Sequence, residues 1–494
     1  MATSSTSSAA LGASKGHWLW DRKLYSYPSG SLRYFQLALA VFVTIILYYE
    51  LYTVGGVSPL LAVQLHMSFT FLVLMIAITN LIGAFGSLAA GLADRLGRVN
   101  IIIWGMLVVG ILTAFVVPEI TDRYALAVVL CIIGFVEGTL LVATPALVRD
   151  FSPQVGRAAA MGIWNVGPVA GSLVVAIVAA STLEHFNNAW TSQFQISGIV
   201  GLITFVIALL AMKELSPELR DQLMVEENDR ALVEARAAAG YAANLERPFK
   251  QLCRANIIGP SIGFGTLLLL YFTLVGFGPI LYATAFHFDA SEANAVSAWA
   301  WGVNVVVTLL VGFLFDWTRL RKPWMIVGGL LTIFFELILL FNLGNALSFA
   351  ELSTLMGLMS GSFGVAAVAF YAGYTETIEA RNPALVATGL AIWGWIVRVL
   401  AFLSFVIIPW VVTSATTLLE GHVHSPAFKA AVSAVYGEWQ LWLWICVIGV
   451  IIFMLTVPLH TGPWTRKRAR ELAQEHDRKV AEELASLRSR ADQA

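Results

Sequence analysis

The chain has 494 residues, of which 58% are hydrophobic and 12% charged, with 30 Lys+Arg against 31 Asp+Glu. Soluble domains carry about 25% charged residues, so a soluble fold of this size is excluded, and a bilayer accounts for the imbalance. The net charge of −1 speaks neither for nor against nucleic acid, and no nucleic-acid partner is expected.

The N-terminal stretch MATSSTSSAALGASKGHWLW is polar and has no apolar core, so it reads as a cytoplasmic tail over 1–31, not as a secretory signal. Apolar runs then predict membrane helices near 32–56, 68–92, 100–118, 124–147, 159–181 and 194–212. Residues 213–255, containing MVEENDRALVEARAAAG, are charged and read as a partly helical cytoplasmic linker. Six further runs follow near 257–285, 294–315, 323–343, 352–376, 385–412 and 439–459. The fold class is therefore an all-α membrane protein, with bundles over 32–212 and 256–460. Residues 461–494 have mixed charge at helical spacing and predict a cytoplasmic amphipathic helix.

With both termini inside, 27 of the 30 Lys and Arg fall on the cytoplasmic side. The halves repeat each other. AGLADRLGR follows helix 2 and GFLFDWTRLRK follows helix 8, setting Asp94 and Asp316 222 residues apart. RDFSPQVGRAAAMGIW follows helix 4 and IEARNPALVATGLAIW follows helix 10, and Trp164 and Trp393 differ by 229. A duplicated six-helix unit is the architecture of carriers that rock two halves about a central site.

AGLADRLGR resembles the helix 2–3 signature of the major facilitator superfamily. The resemblance implies twelve helices in two pseudo-symmetric bundles and alternating access driven by an ion gradient, usually protons. It points to Asp94, Arg95, Arg98, Asp316 and Arg319 as a latch on the cytoplasmic side, where carboxylates meet helix N-termini and arginines. GIWNVGPVAGS in helix 5 resembles the Gly-Pro motif of proton-coupled exporters, with Gly167, Pro168 and Gly171 as packing and hinge positions. Three features are similar instead to metabolite:proton symporters of the aromatic acid type. They are Glu50 nine residues before Pro59, Arg398 nine after Gly389, and Asp150-Phe151-Ser152-Pro153 followed by Arg157. An arginine common early in helix 4 is missing, since Leu130 or Cys131 stands there.

Ionisable groups at membrane depth are costly, so those retained are functional candidates. They are Glu50, Glu137, Glu336 and Arg398. Glu50 and Glu137 are proton-coupling candidates, because desolvated carboxyls protonate near neutral pH. Arg398 keeps its charge and its planar fork suits a carboxylate, from substrate or from Glu50 or Glu137. Glu336, on a helix peripheral in the family, is assigned no role. Trp164, Asn165, Tyr271, Asn304, Tyr371, Tyr374 and Trp393, with Asn80 and Tyr282, complete the expected cavity. The partners expected are a small organic solute, protons and membrane lipid. The chain is expected to be monomeric, in the plasma membrane, with no cofactor. Cys131, Cys253 and Cys446 are scattered, His422 and His424 sit in a loop, and no phosphate loop or nucleophile pattern points to an enzyme.

Overall fold

The computed structural model describes residues 20–491, apart from 29, 58–59, 62–63, 68, 90–95, 155, 184, 188, 223–244, 289 and 415–425. Asp94, Arg95, His422 and His424 thus lie outside the described residues. Six long helices form the first half: α1 Gly30–Gly56, α2 Phe69–Ala89, α3 Arg98–Ile111, α4 Arg123–Asp150, α5 Arg157–Thr182 and α6 Trp190–Ala211. The second half holds α7 Ala255–Phe286, α8 Ala290–Thr318, α9 Lys322–Phe341, α10 Phe349–Glu379, α11 Val386–Val411 and α12 Pro426–Thr456. A last helix, α13, runs over Arg466–Ala491.

Eleven of the first twelve are long and apolar enough to span a bilayer, and α5 contributes a shorter apolar stretch at Ala159–Val175. Their outward sides carry exposed large apolar residues such as Val128, Leu210, Leu310, Phe313 and Leu455, a surface suited to lipid. The last membrane helix extends beyond the expected span: α12 begins at Pro426 rather than near 439, because the alanine-rich segment before Tyr436 continues the helix ahead of the most apolar run.

Helix starts follow local chemistry. The Asp122 carboxylate accepts from the Tyr124 and Ala125 amides at 3.0 and 2.9 Å, opening α4. Ser348 and Glu351 form a capping box opening α10. Past Ile111, α3 widens into a π turn at Leu112–Val116 and tightens into a 3₁₀ turn holding Pro118.

Packing repeats the duplication. In the first half α1 packs on α5 and α6, α2 on α4, and α3 on α4 and α6; in the second α7 packs on α11 and α12, α8 on α10, and α9 on α10 and α12. The halves meet along two equivalent seams, α2 against α11 and α5 against α8. Glycines allow the close approaches: a Cβ at Gly162 on α5 would stand 2.7 Å from the Thr308 carbonyl of α8, and one at Gly394 on α11 would stand 3.2 Å from Ser87 Oγ of α2.

The chain enters α1 and leaves α12 on the face carrying the 2–3, 4–5, 8–9 and 10–11 connections, called here the terminal face. Sequence reading missed one feature there. Strand β1, Lys23–Leu24, pairs in parallel with β2, Glu214–Leu215, tying the tail to the linker. Glu214 then accepts the backbone N–H of Arg98 at 2.6 Å, placing a carboxylate at the α3 N-terminus. Of the linker, only single helical turns at Pro217–Arg220 and Pro248–Leu252 flank the undescribed stretch.

Candidate functional site

Two groups of charged residues emerge, one at the terminal face and one at mid-membrane. At the terminal face, α4 ends in Arg149-Asp150 and α5 begins at Arg157, while α10 ends in Glu379. The Glu379 carboxylate is fully buried and bridges Arg149 through Oε1 and Arg157 through Oε2, and it accepts from Gln154 Nε2 at 3.0 Å. Arg149 also donates to the Arg220 carbonyl at 2.5 Å and to that of Gln222 at 3.3 Å. Arg98, fully buried, pairs with Asp150 and donates to the Ala146 carbonyl at 3.2 Å. From the other half, Asp316 accepts the Ala159 backbone N–H at 2.8 Å, at the start of α5. Arg321 spans Asp316 at 2.9 Å, Glu376 at 3.1 Å and the Gln154 carbonyl at 3.1 Å. The bonds of Glu379 to Arg149, Arg157 and Gln154, of Asp316 to Ala159 and of Arg321 to the Gln154 carbonyl cross between the halves.

Of the latch residues named from sequence, Asp316 and Arg98 sit in this network. Arg319 occupies a left-handed turn position, φ 55°, and the ion pairs to Asp316 and Glu376 come from Arg321 instead. Arg149, Glu379, Arg321 and Glu376 were not named, although Glu379 follows Asp150 by the 229-residue offset that relates Trp164 to Trp393.

At mid-membrane stands Arg398 on α11, 9% exposed, with no ion pair among the described residues. Its guanidinium lies against α2 at Gly83, where a Cβ would come within 2.6 Å of Nη1. Its electrostatic neighbours are Tyr48, Glu137 and Tyr52. Glu137, on α4, is 1% exposed, and neither carboxyl oxygen has a hydrogen-bond partner among the described residues. Tyr48 and Tyr52 are one turn apart on α1, with ring centroids 5.4 Å apart, and Tyr52 OH lies 3.1 Å from Tyr271 OH on α7. That contact joins the two halves on the far side of Arg398.

On the terminal side lies an aromatic layer. Arg398 is five residues beyond Trp393, or about 7.5 Å along the helix. There Tyr371 meets Trp164 edge-on across the seam at 5.2 Å and Trp393 at 5.6 Å. The Trp164 indole donates to Thr144 Oγ1 at 3.3 Å, whereas Trp393 Nε1 is buried without a hydrogen-bond partner among the described residues. Arg398 and Glu137 are thus enclosed between this layer and the Tyr52–Tyr271 contact. A narrow crevice lined by Tyr271, Trp301, Met359, Ser360 and Phe363 opens alongside in the second half.

The structure does not bring every candidate here. Glu50 is buried on the opposite side of α1 from Tyr48 and Tyr52, against α6, where a Cβ at Gly201 would collide with its carboxyl; Glu137 is its electrostatic neighbour, and both oxygens lack hydrogen-bond partners among the described residues. Tyr374 is within hydrogen-bond reach of Ser261 at 2.8 Å and donates to the Gly389 carbonyl at 3.1 Å, both within its own half. Asn304 gives its amide to the Ser360 carbonyl at 2.6 Å. Asn80 donates to Ile76 in its own helix at 3.0 Å, Tyr282 is buried in the core of the second half, and Asn165 is buried on α5. Glu336 is wholly buried on α9, away from Arg398 and without partners. Gly167 and Gly171 face Thr44 and Tyr48 of α1, so the Gly-Pro motif serves helix packing. Tyr48 and Tyr52 were not among the expected cavity residues; their i, i+4 spacing opposite Glu50 was the available signal.

The chain matches the family model described as Major Facilitator Superfamily over residues 40–383. It is 27% identical over 188 residues to the MFS transporter asaE of Aspergillus flavus, covering 36% of this chain and 42% of that protein. It is 32% identical over 171 residues to the fujikurins efflux protein of Gibberella fujikuroi, covering 33% of this chain and 36% of that protein. Sugar phosphate exchanger 3 of Mus musculus is 22% identical over 209 residues, covering 38% of this chain and 42% of that protein. The chain spans about two fifths of the length of the curated relatives it matches. The fold is similar to the proton:xylose symporter XylE bound to 6-bromo-6-deoxy-D-glucose, with a TM-score of 0.68 and 16% identity over 90% of this chain and 99% of that one. Twelve helices packed as two equivalent sixes, and a family match running across both, lead to one conclusion: the chain belongs to the Major Facilitator Superfamily, whose members are transporters and not enzymes.

Proposed function

We propose that this transporter carries a small, carboxylate-bearing organic solute by proton-coupled symport, with Arg398 as the anion-binding group. The observation that supports this is a permanently charged guanidinium, nine-tenths buried and without an ion pair among the described residues, with the phenols of Tyr48 and Tyr52 among its electrostatic neighbours. A buried cation without an anion is costly, and an arriving carboxylate relieves that cost through two parallel hydrogen bonds. Glu137, unpartnered beside it, is the better-placed proton carrier; Glu50, behind α1, is a second. A proton on Glu137 leaves Arg398 free for substrate, and a vacated Glu137 carboxylate competes for it, which couples the two ligands. Both termini face the cytoplasm and the protein sits in the plasma membrane as a monomer in this reading.

Export is the second reading, favoured by the Gly-Pro motif of α5 and by the likeness to the fujikurins efflux protein. Uptake of labelled carboxylates into liposomes holding the protein, with and without an inward proton gradient, separates the two. Symport predicts accumulation that the gradient drives and an ionophore abolishes. Carboxylates that are ignored, or expelled against the proton flow, overturn symport.

A further inference from the structure

We propose that the start of α13, together with the end of α8, forms a binding site for an anionic lipid headgroup in the leaflet at the terminal face. The polypeptide leaves α12 through a short 3₁₀ turn at Val457–Leu459 and enters α13 at Arg466, so four basic residues, Arg466, Lys467, Arg468 and Arg470, fall within eleven residues of the end of that turn. Two exposed tryptophans fix their level. Trp317, at the last turn of α8, is 73% exposed, and Trp464 is 46% exposed. Tryptophan in such positions settles among headgroups.

Cation–π contacts join charges and rings. The Arg466 guanidinium lies 4.3 Å from the Trp317 ring centroid, and Lys322 Nζ lies 5.3 Å from that of Trp464. The helix is not turned at random. Ala469 is buried and Ala473, His476 and Val480 are half-buried, a 4-3-4 spacing that sets one stripe against the protein. Arg466, Lys467 and Arg470 remain exposed, whereas Arg468 is engaged by Glu471 at 3.1 Å and Glu475 at 3.4 Å. Three cations are therefore left to the headgroup zone, on a helix whose acids lie farther along, from Glu471 onward. A phosphate flanked by a second negative group, as in phosphatidylserine, matches this array; a zwitterionic headgroup does not.

The test uses the full chain in detergent micelles, titrated with phosphatidylserine or phosphatidylcholine, with bound lipid counted by native mass spectrometry. The wild type retains phosphatidylserine preferentially, and millimolar inorganic phosphate does not displace it. The triple variant Arg466→Ser, Lys467→Ser, Arg470→Ser loses that preference, at about fivefold for each charge removed. Trp317→Leu keeps the charges and weakens retention by a smaller factor. Thermal unfolding of both variants matches wild type, since these side chains are exposed. Equal retention of the two lipids, or a triple variant as selective as wild type, overturns the site. Displacement by inorganic phosphate assigns the charges to a soluble anion and overturns it equally.

Discussion

The charges of the terminal face and those of the membrane interior obey opposite rules. At the terminal face Arg98, Arg149, Arg157 and Arg321 each meet a carboxylate, and the bonds to Glu379 and from Gln154 cross between the halves. Inside the bilayer region Glu50, Glu137, Glu336 and Arg398 stand buried without ion pairs among the described residues. Paired groups are satisfied in one conformation and resist leaving it. Unpaired groups are poised to take a ligand or a proton from outside the protein. In the proposed cycle the first set selects a state of the carrier, and the second supplies a reason to change it.

The most severe break of this contrast is Arg398→Met, which leaves the interior without its cation. Substrate-driven uptake should fall by roughly two orders of magnitude, the scale of removing one partner of a buried charged bond. Arg398→Lys should recover part of it, and folding measured by thermal unfolding should persist. Normal flux in the methionine variant would dissociate Arg398 from cargo. Glu137→Gln should uncouple rather than abolish: exchange of internal for external substrate continues, while the proton gradient no longer drives accumulation. Coupling that survives in Glu137→Gln but disappears in Glu50→Gln would move the proton role to the back of α1.

At the terminal face, Glu379→Gln strips a carboxylate from two arginines at once. Charged hydrogen bonds contribute about 1.5–3 kcal/mol each, so the shut state should lose tenfold or more in population. Faster modification of a cysteine introduced at Thr375, one turn inward, reads that shift; an unchanged rate would mean that the seams alone hold this face. Tyr52→Phe removes one neutral hydrogen bond on the far side, about 0.5–1.5 kcal/mol. It should alter far-side accessibility only a few-fold, in the opener direction.

The smallest effect concerns His460, buried where α12 leaves the membrane and packed edge-on against Phe370 at 5.5 Å. Burial pushes its imidazole down to about 3. An unfolded histidine takes its proton near 6.5, so between those values the unfolded chain binds more protons. The contribution to stability is complete above pH 6.5 and declines as pH falls toward 3. Melting temperature measured across that range should drop less steeply in His460→Gln than in wild type.

The helices were legible because a bilayer demands long apolar runs, and the repeat because both loops kept Asp, Pro and Trp in register. Arg398 and Glu137 could be named since charges are rare at that depth. What sequence withheld was facing. Glu50 and Tyr52 differ by half a turn or so on α1, and only the packing of α6 against one side and α7 against the other separates their environments. Glu379 was hidden differently: it reads as an ordinary loop charge until the fold sets it between two arginines distant in sequence. The β1–β2 pair has no periodicity to announce it, being two residues on each side.

That small pair determines what travels with what. Residues 23–24 are stitched to the segment leaving α6, and Glu214 of that segment sits at the head of α3, so residues 23–24 are passengers of the first half. A spectroscopic label at Leu24 would consequently report the motion of that half, and a second at Trp464 the motion of the other. The distance between them becomes a ruler for the proposed rocking of the halves that leaves the transport pathway itself unlabelled.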